Sequence, residues 1–238
     1  METPAPLVVA IDGPSGSGKS SVSRRAASRL GLAYLDTGAM YRAATWWCLD
    51  QGTPLDDPEA VAHQVARLPL VMGVDPLAPT VHVGGVDVGE AIRTTNITAR
   101  VSAIATNLVV RAELGRMQRE AIDAETRPGS FSAGRGVVAE GRDITTVVAP
   151  DADVRILLTA SEEARLARRA REVHGTDDDA AVEATRDGVL RRDADDSTVV
   201  QFHTAADGVV TLDSSDLDLE GTVDAVLEIV AQVAGRRA

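Results

Sequence analysis

The chain has 238 residues, of which 44% are apolar and 25% are charged. A chain of this length and composition can bury a sizeable core, which excludes disordered, collagen-like and disulfide-scaffold proteins. The formal net charge of −12 argues against a general binder of nucleic acid or of anionic membranes, so an anionic ligand must be held by a local cluster of positive charge.

Two residue types sharpen this expectation. Cys48 is the only cysteine, so it cannot form an internal disulfide, and no apolar leader opens the chain. No apolar run approaches the length of a membrane span, and we expect a soluble, cytoplasmic protein. Among the 24 basic residues one is a lysine, Lys19, and the rest are arginines. Because every other basic residue is an arginine, we expect that position 19 specifically requires an ammonium group.

Apolar runs separated by helical stretches follow one another along the chain. Leu7 to Asp12 is a short apolar run that ends at Gly-Pro, which is typical of a strand buried on both faces of a parallel sheet. Similar runs follow at 32–35, 137–139, 154–158 and 209–212. The alternation predicts an α/β fold, a parallel sheet flanked by helices with right-handed crossovers.

The last predicted helix shows its period most clearly. Asp218 is its expected N-cap, and Gly235 stands near its end. One apolar stripe at helical spacing contains Val223, Val226, Leu227, Val230 and Val233.

The segment from Leu68 to Val88 breaks this alternation. Three short apolar runs are separated by prolines and by Gly84-Gly85, which suits a two-residue hairpin turn. We therefore expect residues 67–93 to form a small antiparallel insert in a larger core, made of residues 1–66 and 94–238.

The first strand leads into a phosphate-binding loop. The pattern G-x-x-x-x-G-K-[S/T] lies between this strand and a helical stretch, and its expected nucleotide-binding residues, with the serine that follows, are Gly13, Pro14, Ser15, Gly16, Ser17, Gly18, Lys19, Ser20 and Ser21. Glycines let backbone N–H groups approach phosphate oxygens, and the following helix directs its positive end at the same anion. Lys19 adds a point charge for the β- and γ-phosphates, and Ser20 can offer a hydroxyl to Mg²⁺. The loop predicts binding of a nucleoside triphosphate with Mg²⁺, and by itself it does not separate GTPases, motor ATPases and small-molecule kinases.

Two further motifs carry a family resemblance. Leu-Asp-Thr-Gly-Ala-Met-Tyr-Arg ends at Arg42, and Glu-Gly-Arg-Asp-Ile-Thr-Thr-Val-Val begins at Glu140. Together with the phosphate loop they resemble the bacterial cytidylate kinases, and the resemblance runs from about Leu7 to Asp213. It implies a P-loop kinase core, the enlarged insert noted above and a mobile helical lid at about residues 160–196.

The resemblance also implies an acceptor site for CMP or dCMP. Its residues would be Thr37, Arg42, Ser102, Arg111, Arg142, Asp143, Arg192 and Asp196. Thr37 and Arg42 match positions that contact the acceptor, the latter at its phosphate. Ser102, Arg111 and Asp143 match positions on the cytosine side. Arg142, Arg192 and Asp196 match positions for phosphate and ribose.

These residues also allow structural interpretations. Thr37 could instead be a helix N-cap and Arg42 a solvated helix residue. Ser102 could be a helix hydroxyl, and Asp143 the partner of a nearby arginine.

An arginine group stands on the predicted helix after Ser161. Arg165, Arg168 and Arg169 share one face at i, i+3 and i+4, with Arg171 close by. In an acidic protein such a group suggests a ligand for phosphate charge, although a solvated, ion-paired helix would have the same pattern. By resemblance this helix begins the lid, and we expect Lys19, Arg142, Arg165 and Arg169 to be the catalytic cations.

The chain departs from the family pattern in four places. Val199 stands where an arginine is usual, and residues 200–203 replace the usual Ser-Pro-Leu. Thr145 stands where the family commonly has glycine, and Ala149 where it has phenylalanine. The missing arginine leaves open a weakened homologue that only binds nucleotide.

The leading hypothesis is phosphoryl transfer from MgATP to CMP or dCMP. A P-loop kinase of another small acceptor, such as the shikimate or gluconate type, remains an alternative. We expect a monomer with small-molecule partners and no nucleic acid polymer or membrane.

Overall fold

A computed structural model of the chain describes residues 5–234. Its main sheet has five parallel strands in the order β2-β6-β1-β7-β8. These strands are β1 (Leu7–Asp12), β2 (Ala33–Asp36), β6 (Gly136–Gly141), β7 (Val154–Thr159) and β8 (Val210–Asp213). Each predicted strand is present, and the α/β prediction is confirmed.

Helices cover both faces of this sheet and build the segments around it. Their bounds are α1 (Lys19–Leu30), α2 (Thr37–Asp50), α3 (Pro58–Val65), α4 (Thr95–Thr98), α5 (Val101–Ala105), α6 (Leu108–Glu125), α7 (Glu162–His174), α8 (Asp179–Ser197) and α9 (Leu219–Ala234). Helices α1 and α9 pack on one face of the sheet, and α2 and α6 contribute to the apolar cluster on the other. Strand β1 alternates between the two clusters, with Val9 and Ile11 in one and Ala10 in the other, because successive side chains point to opposite faces.

The last helix begins as predicted. The Asp218 carboxylate accepts a hydrogen bond from Gly221 N at 2.8 Å, so it caps α9. Val223, Val226 and Val230 from the predicted stripe are buried against the sheet. Gly235 lies outside the described residues.

The insert is antiparallel, as expected. Strands β3 (Leu70–Met72), β4 (Val81–Val83) and β5 (Val86–Asp87) form a separate three-stranded sheet. Gly84 and Gly85 join β4 to β5 with φ of 59° and 84°, the left-handed values that a two-residue hairpin turn requires.

Two long helices, α7 and α8, pack against each other near the carboxyl ends of the main strands, and α8 also contacts α5. They occupy the region expected to form a helical lid. Within residues 5–234 we find no helix with the length and apolar character needed to cross a membrane.

Candidate functional site

The phosphate-binding loop connects β1 to α1. A side-chain Cβ at Gly13 would lie 2.1 Å from the Leu158 carbonyl oxygen, so only glycine lets the loop pass strand β7 this closely. Gly16 and Gly18 have φ of 76° and 88°, which bends the loop so that it enters α1 at Lys19. The loop therefore presents the N-terminus of a twelve-residue helix at the carboxyl edge of the sheet.

Lys19 lies inside this loop. Its Nζ donates a hydrogen bond to the Pro14 carbonyl at 3.0 Å. Burial, together with the charges of Arg142 and Arg192, lowers the pKa of Lys19 to about 8, while Glu140 opposes the change. The ammonium thus sits among other cations that disfavour its charge, a setting that a bound anion would relieve.

Glu140 is a site residue that the sequence analysis did not assign. Its carboxylate accepts a hydrogen bond from Ser20 Oγ at 2.6 Å and one from the Tyr34 hydroxyl at 3.3 Å. Burial and the nearby Asp36 raise the pKa of Glu140, whereas Lys19 lowers it. The position of Glu140 near the end of β6 could have identified it, because β6 pairs with β1 and so ends beside the phosphate loop.

A buried carboxylate holds the turn that follows β6. Asp12 accepts hydrogen bonds from Ile144 N at 2.9 Å, Thr145 N at 2.8 Å and Thr145 Oγ1 at 2.6 Å. Burial raises the pKa of Asp12 to about 6. The hydroxyl of Thr145, absent from the usual glycine, thus helps fix the turn that carries Arg142 and Asp143.

Arg142 joins the phosphate loop to helix α8. Its guanidinium donates to the Gly13 carbonyl at 3.0 Å and to Ser15 Oγ at 2.8 Å. It also pairs with Asp193 at 2.9 Å and Asp196 at 3.0 Å, both on α8. Sequence reasoning placed Arg142 and Asp196 at one site, and the structure brings them into direct contact.

Asp193 is a second residue that the sequence analysis missed. It accepts a hydrogen bond from Ser15 N at 3.0 Å and forms an ion pair with Arg165 of α7. Burial alone would raise the pKa of Asp193, but Arg142, the Ser15 N–H and Arg165 together hold it below its usual value. The only signal in the sequence that could have identified Asp193 was its proximity to Arg192 and Asp196.

The start of α2 decides two alternatives that the sequence left open, the identity of the N-cap and the exposure of Arg42. The N-cap is Asp36, whose carboxylate accepts from Ala39 N at 2.7 Å, and not Thr37. The Thr37 hydroxyl instead donates to the Glu140 carbonyl at 2.7 Å. Arg42 is not solvated either, because its side chain is largely buried and pairs with Asp36 at 3.0 Å.

Two of the three expected base-reading residues, Arg111 and Asp143, are in contact. Arg111 forms an ion pair with Asp143, donates to the Ala105 carbonyl at 2.9 Å and lies over the Tyr41 ring at 5.7 Å. Burial raises the pKa of Asp143, and Arg111 opposes that change. Ser102 is half-buried on the same short helix as Ala105.

Arg192 carries charge that the described residues do not fully compensate. Its Nε is buried without a hydrogen-bond partner and lies 3.9 Å from the Asp196 carboxylate. Burial, together with the charges of Arg142 and Arg42, lowers the pKa of Arg192 to about 10. The Nε of Arg42 is likewise buried and unpartnered.

The four arginines of helix α7 have different partners. Arg165 is buried against Asp193, as described above. Arg168 donates to Ser214 Oγ at 3.0 Å and to the Ser17 carbonyl at 3.3 Å. Arg169 pairs with Glu172 at 2.7 Å, and the exposed Arg171 pairs with Asp177. The shared helix face therefore does not give these arginines a shared role.

Comparisons with known proteins give a consistent result. Residues 9–232 match the family model described as cytidylate kinase. The cytidylate kinase of Nocardia farcinica is 48% identical over 98% of this chain and 97% of its own length. That of Streptomyces avermitilis is 46% identical over 95% and 93%. The chain belongs to the cytidylate kinase family.

Proposed function

We propose that the protein transfers the γ-phosphoryl group of ATP to CMP or dCMP, giving ADP and the corresponding diphosphate. The observation that carries this proposal is a group of cations around the phosphate loop that repel one another. The charges of Arg142 and Arg192 help to lower the pKa of Lys19. Those of Arg142 and Arg42 help to lower the pKa of Arg192. In a protein of net charge −12, such a group is best stabilised by polyanionic ligands.

The chemistry requires alignment more than proton transfer. A phosphate oxygen of the acceptor is already ionised at neutral pH, so no general base is needed. The loop N–H groups and Lys19 hold the donor's β- and γ-phosphates. Arg142 contacts the loop on one side and α8 on the other, and these contacts support a position of its guanidinium between donor and acceptor. Arg165, and Arg169 at the lid edge, would neutralise charge that develops on the transferred group.

The residues present fit a Mg²⁺ ion. Mg²⁺ prefers hard oxygen ligands and keeps several waters, and the Ser20 hydroxyl and Glu140 carboxylate lie 2.6 Å apart at the helix N-terminus. Among residues 5–234 no group of three or more histidine, cysteine or acidic side chains could form an all-protein metal site. The expected ligands are therefore phosphate oxygens and protein oxygens. Ser20 would bind the ion directly, or Ser20 and Glu140 would both bind it through water. The ion would neutralise phosphate charge.

The Arg111–Asp143 pair supports cytosine as the base. Cytosine offers a carbonyl and a ring nitrogen that accept hydrogen bonds and an amino group that donates one. An arginine and a carboxylate side by side can match that edge, whereas uracil places an acceptor where cytosine has its amino group. The two side chains pair with each other in the free protein, so the base would displace part of that contact.

We infer that two segments move around the bound acceptor. Residues 67–93 would form part of the monophosphate-binding insert, and residues of about 160–196 the lid. Closure of the lid would exclude water and limit hydrolysis of ATP. We also propose that the protein is a cytoplasmic monomer. Light scattering of the purified protein would measure its mass.

The test is an acceptor panel with purified protein and MgATP. We expect ADP release to be fastest with CMP and dCMP, slower with UMP, and near the acceptor-free rate with AMP and GMP. Shikimate and gluconate provide the comparison for other P-loop kinases. Equal rates with all monophosphates would contradict the proposed specificity. Tight nucleotide binding without turnover would instead indicate a binding protein, as Val199 in place of arginine allowed.

A further inference from the structure

The segment after α8 contains an aromatic residue in an unusual place. Phe202 is only 1% exposed, and the centre of its ring lies 4.4 Å from the guanidinium carbon of Arg142. This separation is well within the range of a cation–π contact. Phe202 belongs to the stretch that departs from the family pattern in sequence, so the contact belongs to this chain's own residues.

Phe202 is fixed by its neighbours. The Val200 N–H donates to the Asp196 carbonyl at 3.1 Å and so ties the segment to the end of α8. The His203 ring lies 4.4 Å from that of Phe202, and its Nε2 is 3.1 Å from Ser197 Oγ. The end of α8 therefore holds the ring under Arg142 and also supplies the two carboxylates that pair with it.

The ring and the carboxylates act on different parts of the guanidinium. The five N–H donors of an arginine lie in the plane of the group. In Arg142, Gly13 O and Ser15 Oγ accept hydrogen bonds from this group, and Asp193 and Asp196 form ion pairs with its nitrogens at 2.9 and 3.0 Å. A phosphoryl oxygen must approach in this same plane, so it competes with those contacts. The guanidinium carbon lies over the Phe202 ring, which has no hydrogen-bond acceptor atom, so the ring contacts the group without competing for its N–H donors.

We infer that Phe202 is a positioning residue that keeps the Arg142 guanidinium oriented while its in-plane contacts change from carboxylates to phosphoryl oxygens. This inference rests on the proposed function, in which Arg142 lies between donor and acceptor. The contact would matter most when charge develops on the transferred group, so its loss should lower kcat more than it raises either KM.

The test uses the fact that the chain has only two phenylalanines, Phe131 and Phe202. Phe131 is 53% exposed and lies outside the site, so a Phe131→Leu protein should retain the parental kinetics. In that background, replacement of all phenylalanine by mono-, di- and trifluorophenylalanine labels position 202 alone. Fluorine weakens the negative face of the ring while leaving its shape nearly unchanged.

We expect kcat for CMP to fall stepwise with fluorine number, by about three- to tenfold in total, with KM values changed less than twofold. Phe202→Leu, which keeps apolar volume without a π face, should lower kcat by a similar factor. A merely structural role would lower the melting temperature of Phe202→Leu but give no slope across the fluorinated series. An active parent with no such slope would overturn the inference.

A second measurement does not depend on turnover. Solvent exchange of the Arg142 Nε–H, assigned by comparison with Arg142→Lys, should accelerate across the same series because the guanidinium is held less firmly. Unchanged exchange would overturn the contact itself. If the parent fails to phosphorylate CMP but the exchange responds, the proposed function fails while the positioning contact stands.

Discussion

The phosphate loop and the arginine network beside it bind anions by different physical means. The loop is built from backbone: glycine conformations and a helix N-terminus create it, and Lys19 is its principal charged side chain. The network is built from side chains, and in the free protein each of its central arginines is paired with a carboxylate. The loop conformation is therefore set by its own backbone, and among its N–H groups that of Ser15 donates to Asp193. The network, by contrast, must exchange several partners when the acceptor arrives.

This difference assigns distinct tasks to the two regions. A rigid nest binds polyphosphate tightly without rearrangement. A network of exchangeable ion pairs can instead respond to the acceptor, because incoming phosphate replaces Asp193 or Asp196 at Arg142. Donor binding should then depend on the loop alone, and phosphoryl transfer on both regions.

Removal of the loop's ammonium should have the largest effect. Lys19→Ala deletes the charge nearest the β- and γ-phosphates, and we expect phosphoryl transfer to fall by about a thousandfold. The fold should persist, since Lys19 Nζ makes a single hydrogen bond to Pro14 among the described residues. Steady-state turnover and thermal melting measure the two quantities. Substantial residual activity would refute the role given to Lys19.

Loss of one carboxylate should act mainly on the network, because the loop loses only the hydrogen bond from Ser15 N. Asp193→Asn leaves the charges of Arg142 and Arg165 without their shared partner, and breaking a buried pair costs about 3–5 kcal/mol of unfolding free energy. Urea unfolding measures this loss. Asp177→Asn is the matched control, because Asp177 pairs with Arg171 on the exposed surface.

The same carboxylate predicts the direction of an acid effect. The pKa of Asp193 is lower in the folded protein than its usual value of 3.8. Its stabilising contribution is therefore full above about pH 4 and is lost as the pH falls through the folded-state pKa. Asp193→Asn should flatten the stability profile below pH 4, and an unchanged acid limb would contradict the ion-pair assignment.

A methyl group in the loop should damage donor binding selectively. At Gly16 a Cβ would lie 2.5 Å from the Arg165 carbonyl oxygen, so Gly16→Ala must displace the loop or α7. Gly175 has the same φ of 76° but open space around it. Both variants should lose about 1–2 kcal/mol of stability from backbone strain, and only Gly16→Ala should also weaken ATP binding in calorimetry. Equal ATP affinities would argue against a preformed nest.

The smallest expected effect is a pH dependence of ATP affinity. The pKa of Lys19 is about 8 in the free protein, and the bound phosphates favour its charged form. The association constant should therefore be flat below pH 8 and fall by up to about tenfold per unit above it. Lys19→Arg keeps its charge across this range, so whatever affinity it retains should not show that fall.

Sequence patterns predicted backbone conformation better than they predicted side-chain contacts. The glycine pattern around Lys19 is readable because backbone geometry restricts which residues fit, and the Gly84-Gly85 turn is readable for the same reason. Asp193 and Glu140 escaped because any acidic residue on a helix or strand looks alike until long-range packing brings it to an arginine or a serine. Asp36 was overlooked as a cap because the adjacent Thr37 is an equally good cap by type.

Phosphorus-31 NMR of the protein with ATP, Mg²⁺ and CMP tests the central claim most directly, since it identifies where the transferred phosphoryl group goes. We predict that the γ-phosphate signal of ATP declines while the β-phosphate signals of ADP and CDP grow in equal amounts. Growth of inorganic phosphate instead, or an ATP spectrum that stays constant with CMP present, would contradict it.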